Sequence, residues 1–121
     1  MKSERLQELV IENLEEFKAL DIVALAIHNL TDIADYMVIC SGTSSRHVHS
    51  VANKLIEKIK EHEIKPFGVE EAPNGEWTLV DFGDVIVHIM LPGTREFYKL
   101  EKLWAVDLAK GRRKKVPRRS K

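Results

Sequence analysis

The chain has 121 residues, 44% apolar and 31% charged, with 19 Lys and Arg set against 19 Asp and Glu. That is the make-up of one globular domain, too short for two cores and without an apolar run near the roughly 20 residues needed to cross a bilayer. The single cysteine, Cys40, excludes an internal disulfide, and "MKSERLQELV" has no signal-peptide core, so the composition predicts a protein of the reducing cytoplasm.

Leu6, Leu9, Val10, Leu14 and Phe17 repeat at helical spacing behind Ser3, which suits an N-cap, and predict a first helix to about Ala19. "DIVALAI", Asp21 to Ile27, is a short β-branched run, and "DYMVICS", Asp35 to Ser41, is a second one. Val48, Val51, Ala52, Leu55, Ile56 and Ile59 form the core stripe of a second helix, from about Ser44 to Glu63, which Pro66 cannot continue. A short strand is expected near Phe67–Glu70. "WTLVD" and "DVIVHIML" then read as a hairpin joined through "FGD". Val85 to Leu91 is apolar on both faces except at His88, as a central strand requires. Thr94 is the expected cap of a last helix in which Phe97, Leu100, Trp104 and Leu108 share one face and Gly111 ends the run.

The order αββαβββα contains a strand–helix–strand unit, which demands a parallel pair, and a hairpin, which demands an antiparallel one. The predicted fold is therefore α+β, a mixed sheet of about five strands flanked by helices. One domain is expected over residues 1–111. The zero net charge divides unevenly: residues 1–111 carry −7, and "RRKKVPRRSK", residues 112–121, carries +7. A block of like charge with a proline is expected to stay unfolded as a tail, and it suits contact with RNA. The acidic body suits a basic protein instead, and a basic protein embedded in RNA would satisfy both.

"SGTSSRHVHS" follows a strand and opens a helix, so Ser41, Thr43, Ser44 and Arg46 are candidate anion-binding residues. The run has one glycine and no following lysine, so it is not a P-loop. A strand, a glycine–hydroxyl loop and a helix also open the nucleotidyltransferase fold, whose chemistry needs alternate carboxylates on the next strand. The chain has no such pair. Asp81 and Asp84, three apart across a turn, do not fall on one strand face. His47 and His49 diverge on a helix and make no metal pair. No catalytic residue, metal or cofactor is assigned. Recognition remains, with Trp77, Leu79 and Asp81 alternating onto one strand face and Arg95 and Tyr98 on the following helix.

Two long stretches, "TDIADYMVICSGTSSRHVHSVANKL" and "GEWTLVDFGDVIVHIMLPGTREFYKLEKLW", resemble the ribosomal silencing factor family, also called Iojap or RsfS. The resemblance runs from about Asp21 to Trp104. It implies a nucleotidyltransferase-like fold without transferase activity. It also implies a factor that binds the large ribosomal subunit through its fourteenth ribosomal protein, blocks joining of the small subunit and represses translation. Trp77, Leu79, Asp81, Asp84, His88, Arg95 and Tyr98 are the expected partner surface. Such a factor is expected to act as a monomer on the ribosome, and a homodimer through an exposed strand edge stays open for the free protein. Two other classes stay open from the residues alone: a nucleotide-handling enzyme using the Ser41–Ser45 loop, and an RNA-binding adaptor working through the tail.

Overall fold

In the computed structural model, residues 1–99 are described. The elements are α1 (Ser3–Glu16), β1 (Leu20–Ala26), β2 (Tyr36–Ser41), α2 (Ser45–Lys60), β3 (Gly68–Glu71), β4 (Trp77–Asp81), β5 (Val85–Met90) and α3 (Pro92–Tyr98). The expected order of helices and strands is the observed one. Leu100, Trp104, Leu108, Gly111 and the basic tail at 112–121 lie outside the described residues.

One five-stranded sheet has the order β1-β2-β5-β4-β3. β2 and β5 are parallel, and the other three pairings are antiparallel. β5 is buried at every position, as its double-sided apolar pattern requires. α1 and α2 cover one face, where Leu6, Val10, Leu14, Val51, Leu55 and Ile59 pack on Val38, Cys40, Val80 and Val87. The second face has its own cluster of Met37, Ile39, Leu79, Ile86 and Met90, closed by Ile27, Leu30 and Ala34 from the β1–β2 connection. Side chains alternate between the two clusters along β2, β4 and β5, which fixes the register.

The ends of the helices depart from the sequence reading at four points, one of them in α2, which stops at Lys60 rather than near Glu63. Lys2, not Ser3, is the N-cap of α1, and no side chain caps it. α1 stops at Glu16 rather than Ala19 because Lys18 turns left-handed, with φ 66°. Lys18 N–H then donates to Glu15 C=O at 3.1 Å and Ala19 N–H to Leu14 C=O at 2.9 Å, a Schellman motif. Thr94 is not the cap of α3. Leu91 is, with Pro92 opening the helix, and Thr94 Oγ1 instead donates to Glu76 Oε1 at 3.4 Å. Starting the helix there turns Arg95 inward and leaves Phe97 78% exposed, so Phe97 is not part of a buried stripe.

Candidate functional site

The expected partner surface is divided by the fold. β4 runs antiparallel to β5, pairing Trp77 with Met90 at one end and Asp81 with Ile86 at the other. Four residues of strand separate the two ends by about 13 Å. Trp77 and Tyr98 meet at the first end, with ring centroids 4.8 Å apart, and Phe97 stands edge-on to Tyr98 at 5.0 Å. Asp81 and Asp84 belong to the second end. There Asp81 Oδ1 accepts the Gly83 N–H at 2.8 Å, and the Asp84 carbonyl accepts N–H groups of Asp35 and Tyr36. The Asp81 carboxylate shapes the hairpin turn, and the Asp84 backbone carbonyl seats it against the start of β2.

Two of the expected contact residues lie beneath the surface. His88 and Leu79 are buried, so their place is under the aromatic patch rather than on it. Trp77 Nε1–H donates to His88 Nδ1 at 3.0 Å. Indole N–H can only donate, so that imidazole nitrogen is the acceptor and the ring proton sits on Nε2. His88 thereby sets the angle at which Trp77 stands, half-buried, against Tyr98.

Arg95 is also correctly placed on α3 but points elsewhere. It is buried, and Nη1 donates to Ser41 Oγ at 3.1 Å. It lines a cleft of about 440 Å³ with Asp21, Val23, Ser41, Pro92, Glu96 and Lys99. Its charge also bears on Cys40, whose thiol burial pushes up to about 12 from an ordinary 9.0, with Arg95 opposing the rise. A thiol held so high is not a nucleophile at neutral pH.

The loop at Ser41–Arg46 is tied into the fold by hydrogen bonds, from Gly42 N–H to the Met90 carbonyl at 3.0 Å, from Arg95 to Ser41, and within the loop to His47. Ser44 is the N-cap of α2, its Oγ accepting the His47 N–H at 3.1 Å. Thr43 N–H donates to His47 Nδ1 at 2.9 Å, so the proton lies on Nε2, which donates to the Phe17 carbonyl at 3.1 Å. His47 thus ties the start of α2 to the end of α1, while His49 turns away to Glu71. Gly42 is required by close approach: a Cβ there would sit 2.8 Å from Val48 Cγ2. Arg46 is exposed on the first turn of α2. Among the described residues no group of three or more His, Cys, Asp or Glu side chains is placed to hold a metal ion.

One exposed group escaped the sequence reading. Phe67 is 82% exposed beside β3, and Glu70 and Glu71 line a small cleft with Ala72, Trp77 and Leu79. The available signal was an aromatic next to glycine, ahead of paired glutamates, in "PFGVEE".

Taken together, residues 1–99 form a two-cluster α+β fold that presents the aromatic group of Trp77, Phe97 and Tyr98 at one end of β4. No helix among the described residues is long and apolar enough to cross a membrane. Residues 1–121 match the family model described as ribosomal silencing factor during starvation, and the chain belongs to that family. A ribosomal silencing factor from Haemophilus influenzae is 44% identical over 100 residues, spanning 83% of this chain and 98% of the relative. One from Chromobacterium violaceum is 41% identical over 104 residues, spanning 86% of this chain and 85% of the relative. A mouse relative named mitochondrial assembly of ribosomal large subunit protein 1 is 36% identical over 82% of this chain and 45% of its own length. A crystal structure of a Chromobacterium violaceum protein superposes with a TM-score of 0.83 at 39% identity, over 96% of this chain and 92% of that one. The names of the family model and of these bacterial relatives tie the family to silencing of ribosomes.

Proposed function

We propose that this protein binds the large ribosomal subunit through its fourteenth ribosomal protein, blocks joining of the small subunit and so represses translation in the cytoplasm, with no catalytic step. Family membership, joined to the presentation of Trp77 by buried His88, is the observation that carries the reading. The aromatic group of Trp77, Phe97 and Tyr98 has the residue types that supply most of the binding energy at protein interfaces. The acidic body, −7 over residues 1–111, would steer a basic ribosomal protein toward it. Asp81 and Asp84, at the far end of β4, would act as long-range charge and register rather than as part of the anchor.

Gradient sedimentation of purified large and small subunits at fixed Mg²⁺ tests this. The protein is expected to travel with the large subunit and to lower the joined-ribosome peak. Tyr98→Ala, an exposed position, is expected to weaken both effects without changing the melting temperature. An unchanged joined peak, with the protein left at the top of the gradient, would remove the proposal.

A further inference from the structure

β3 forms one edge of the sheet. Ala72 N–H donates to the Trp77 carbonyl at 2.8 Å, closing the β3–β4 hairpin, and the register continues through Glu70↔Leu79 and Gly68↔Asp81. Backbone groups alternate in direction along a strand. Gly68 and Glu70 therefore turn theirs toward β4 with Ala72, while Val69 and Glu71 aim N–H and C=O outward. β3 ends the sheet, so among the described residues no strand meets those groups.

The side chains at this edge are arranged for contact. Val69 is 44% exposed, and Phe67 lies across Gly83 with almost its whole ring in solvent. Gly83 has φ +91°, and a Cβ there would sit 2.6 Å from the ring, so only glycine lets Phe67 take this position. The cleft of about 180 Å³ lined by Glu70, Glu71, Ala72, Trp77 and Leu79 joins the edge to the aromatic patch.

We propose that the edge of β3 takes up an extended basic segment of the ribosomal partner as a sixth strand. This rests on the reading above and specifies how the partner is held. Backbone bonds to Val69 and Glu71 would supply affinity, and alternate side chains would supply selectivity, an apolar one against Phe67 and Val69 and a Lys or Arg beside Glu71. Charge chooses this occupant over a second copy of the chain. Two β3 strands paired about a twofold axis would set the glutamates of one against those of the other, an arrangement that costs stability.

Val69→Pro deletes the outward N–H and leaves the bonds to β4 in place, since proline is tolerated at an edge position whose N–H faces solvent. Its binding to purified large subunits is compared with that of the parent by sedimentation, and backbone amide exchange of the parent is followed free and bound. A loss of about tenfold or more in binding at an unchanged melting temperature, with the Glu71 amide protected in the complex, supports strand addition. If the parent binds, Val69→Pro binds equally and the Glu71 amide exchanges as in the free protein, strand addition is overturned and the ribosomal reading stands. If the parent does not bind large subunits, the ribosomal reading fails and takes this one with it. A parent that is dimeric when free, made monomeric by Val69→Pro, would give the edge to a second copy and overturn the proposal. Should Val69→Pro fold poorly, protection of the Glu71 amide in the parent complex decides alone.

Discussion

Trp77 donates its indole proton to Nδ1 of His88 at 3.0 Å, a bond between an edge of the surface and the middle of the buried central strand. Trp77→Phe keeps an aromatic at the surface but leaves that nitrogen without its donor. The expected cost is about 1–3 kcal/mol, the usual penalty for orphaning a buried polar group. Adding His88→Ala to Trp77→Phe should cost less than the two single changes together, because both remove the same interaction. Urea titration of the four proteins checks this, and full additivity would show the bond to be energetically idle.

Cys40 is expected to resist thiol reagents at neutral pH in the folded protein and to react at once in denaturant, since burial keeps it protonated. The folded thiol titrates near 12 and the unfolded one near 9.0, so between those values the unfolded chain releases a proton that the native state retains. Stability must then fall as pH rises from 9 toward 12, by up to about 1.4 kcal/mol per unit from this group. Cys40→Ala should flatten that slope relative to the parent, at the cost of a small cavity. Equal alkaline slopes in the two proteins would contradict the assignment.

Ser44→Ala removes the oxygen that accepts the His47 N–H and is expected to cost about 1 kcal/mol, with Ser44→Asp recovering most of it. The same pair separates capping from anion binding. If phosphate raises the parent's melting temperature and Ser44→Asp abolishes that rise, the loop has a ligand role that its internal bonds do not explain.

Lys18 occupies the left-handed position that ends α1, where glycine avoids the steric cost of a Cβ. Lys18→Gly should stabilise the protein by about 0.5–1 kcal/mol, less the entropy that glycine adds to the unfolded chain. Thermal melts settle the sign, and a clear loss would mean that the lysine side chain contributes packing or charge not evident from its exposed position.

Much of the fold was legible because it rests on local periodicity. The stripe from Val48 to Ile59 fixed α2, and the unbroken run after Asp84 fixed the central strand. The site was less legible because it depends on pairing across the sheet. Trp77 and Asp81 share a strand face by sequence, yet it is antiparallel register to β5 that puts Trp77 beside Met90, next to α3, and Asp81 beside Ile86, next to the β4–β5 turn. Arg95 and Tyr98 are three apart on one helix, but Pro92 starts that helix early enough to send the first inward and the second to Trp77. Phe67 lacked any periodic partner to mark it, and its place over Gly83 is a contact between residues sixteen apart.

The single parallel pairing has a kinetic consequence. Tyr36 meets Val85 across it, a separation of roughly fifty residues, whereas β1–β2 and β3–β4–β5 are each made from near neighbours. Closing a loop of that length costs about 3.5 kcal/mol of chain entropy beyond a constant, and none of it is recovered until both strands are aligned. The two antiparallel halves are thus the natural early folding units, and their docking along β2 and β5 is the barrier. On a chain leaving the ribosome, β2 would wait with its inner edge open until β5 had been synthesised, so the moment of greatest exposure falls while this protein is itself being translated.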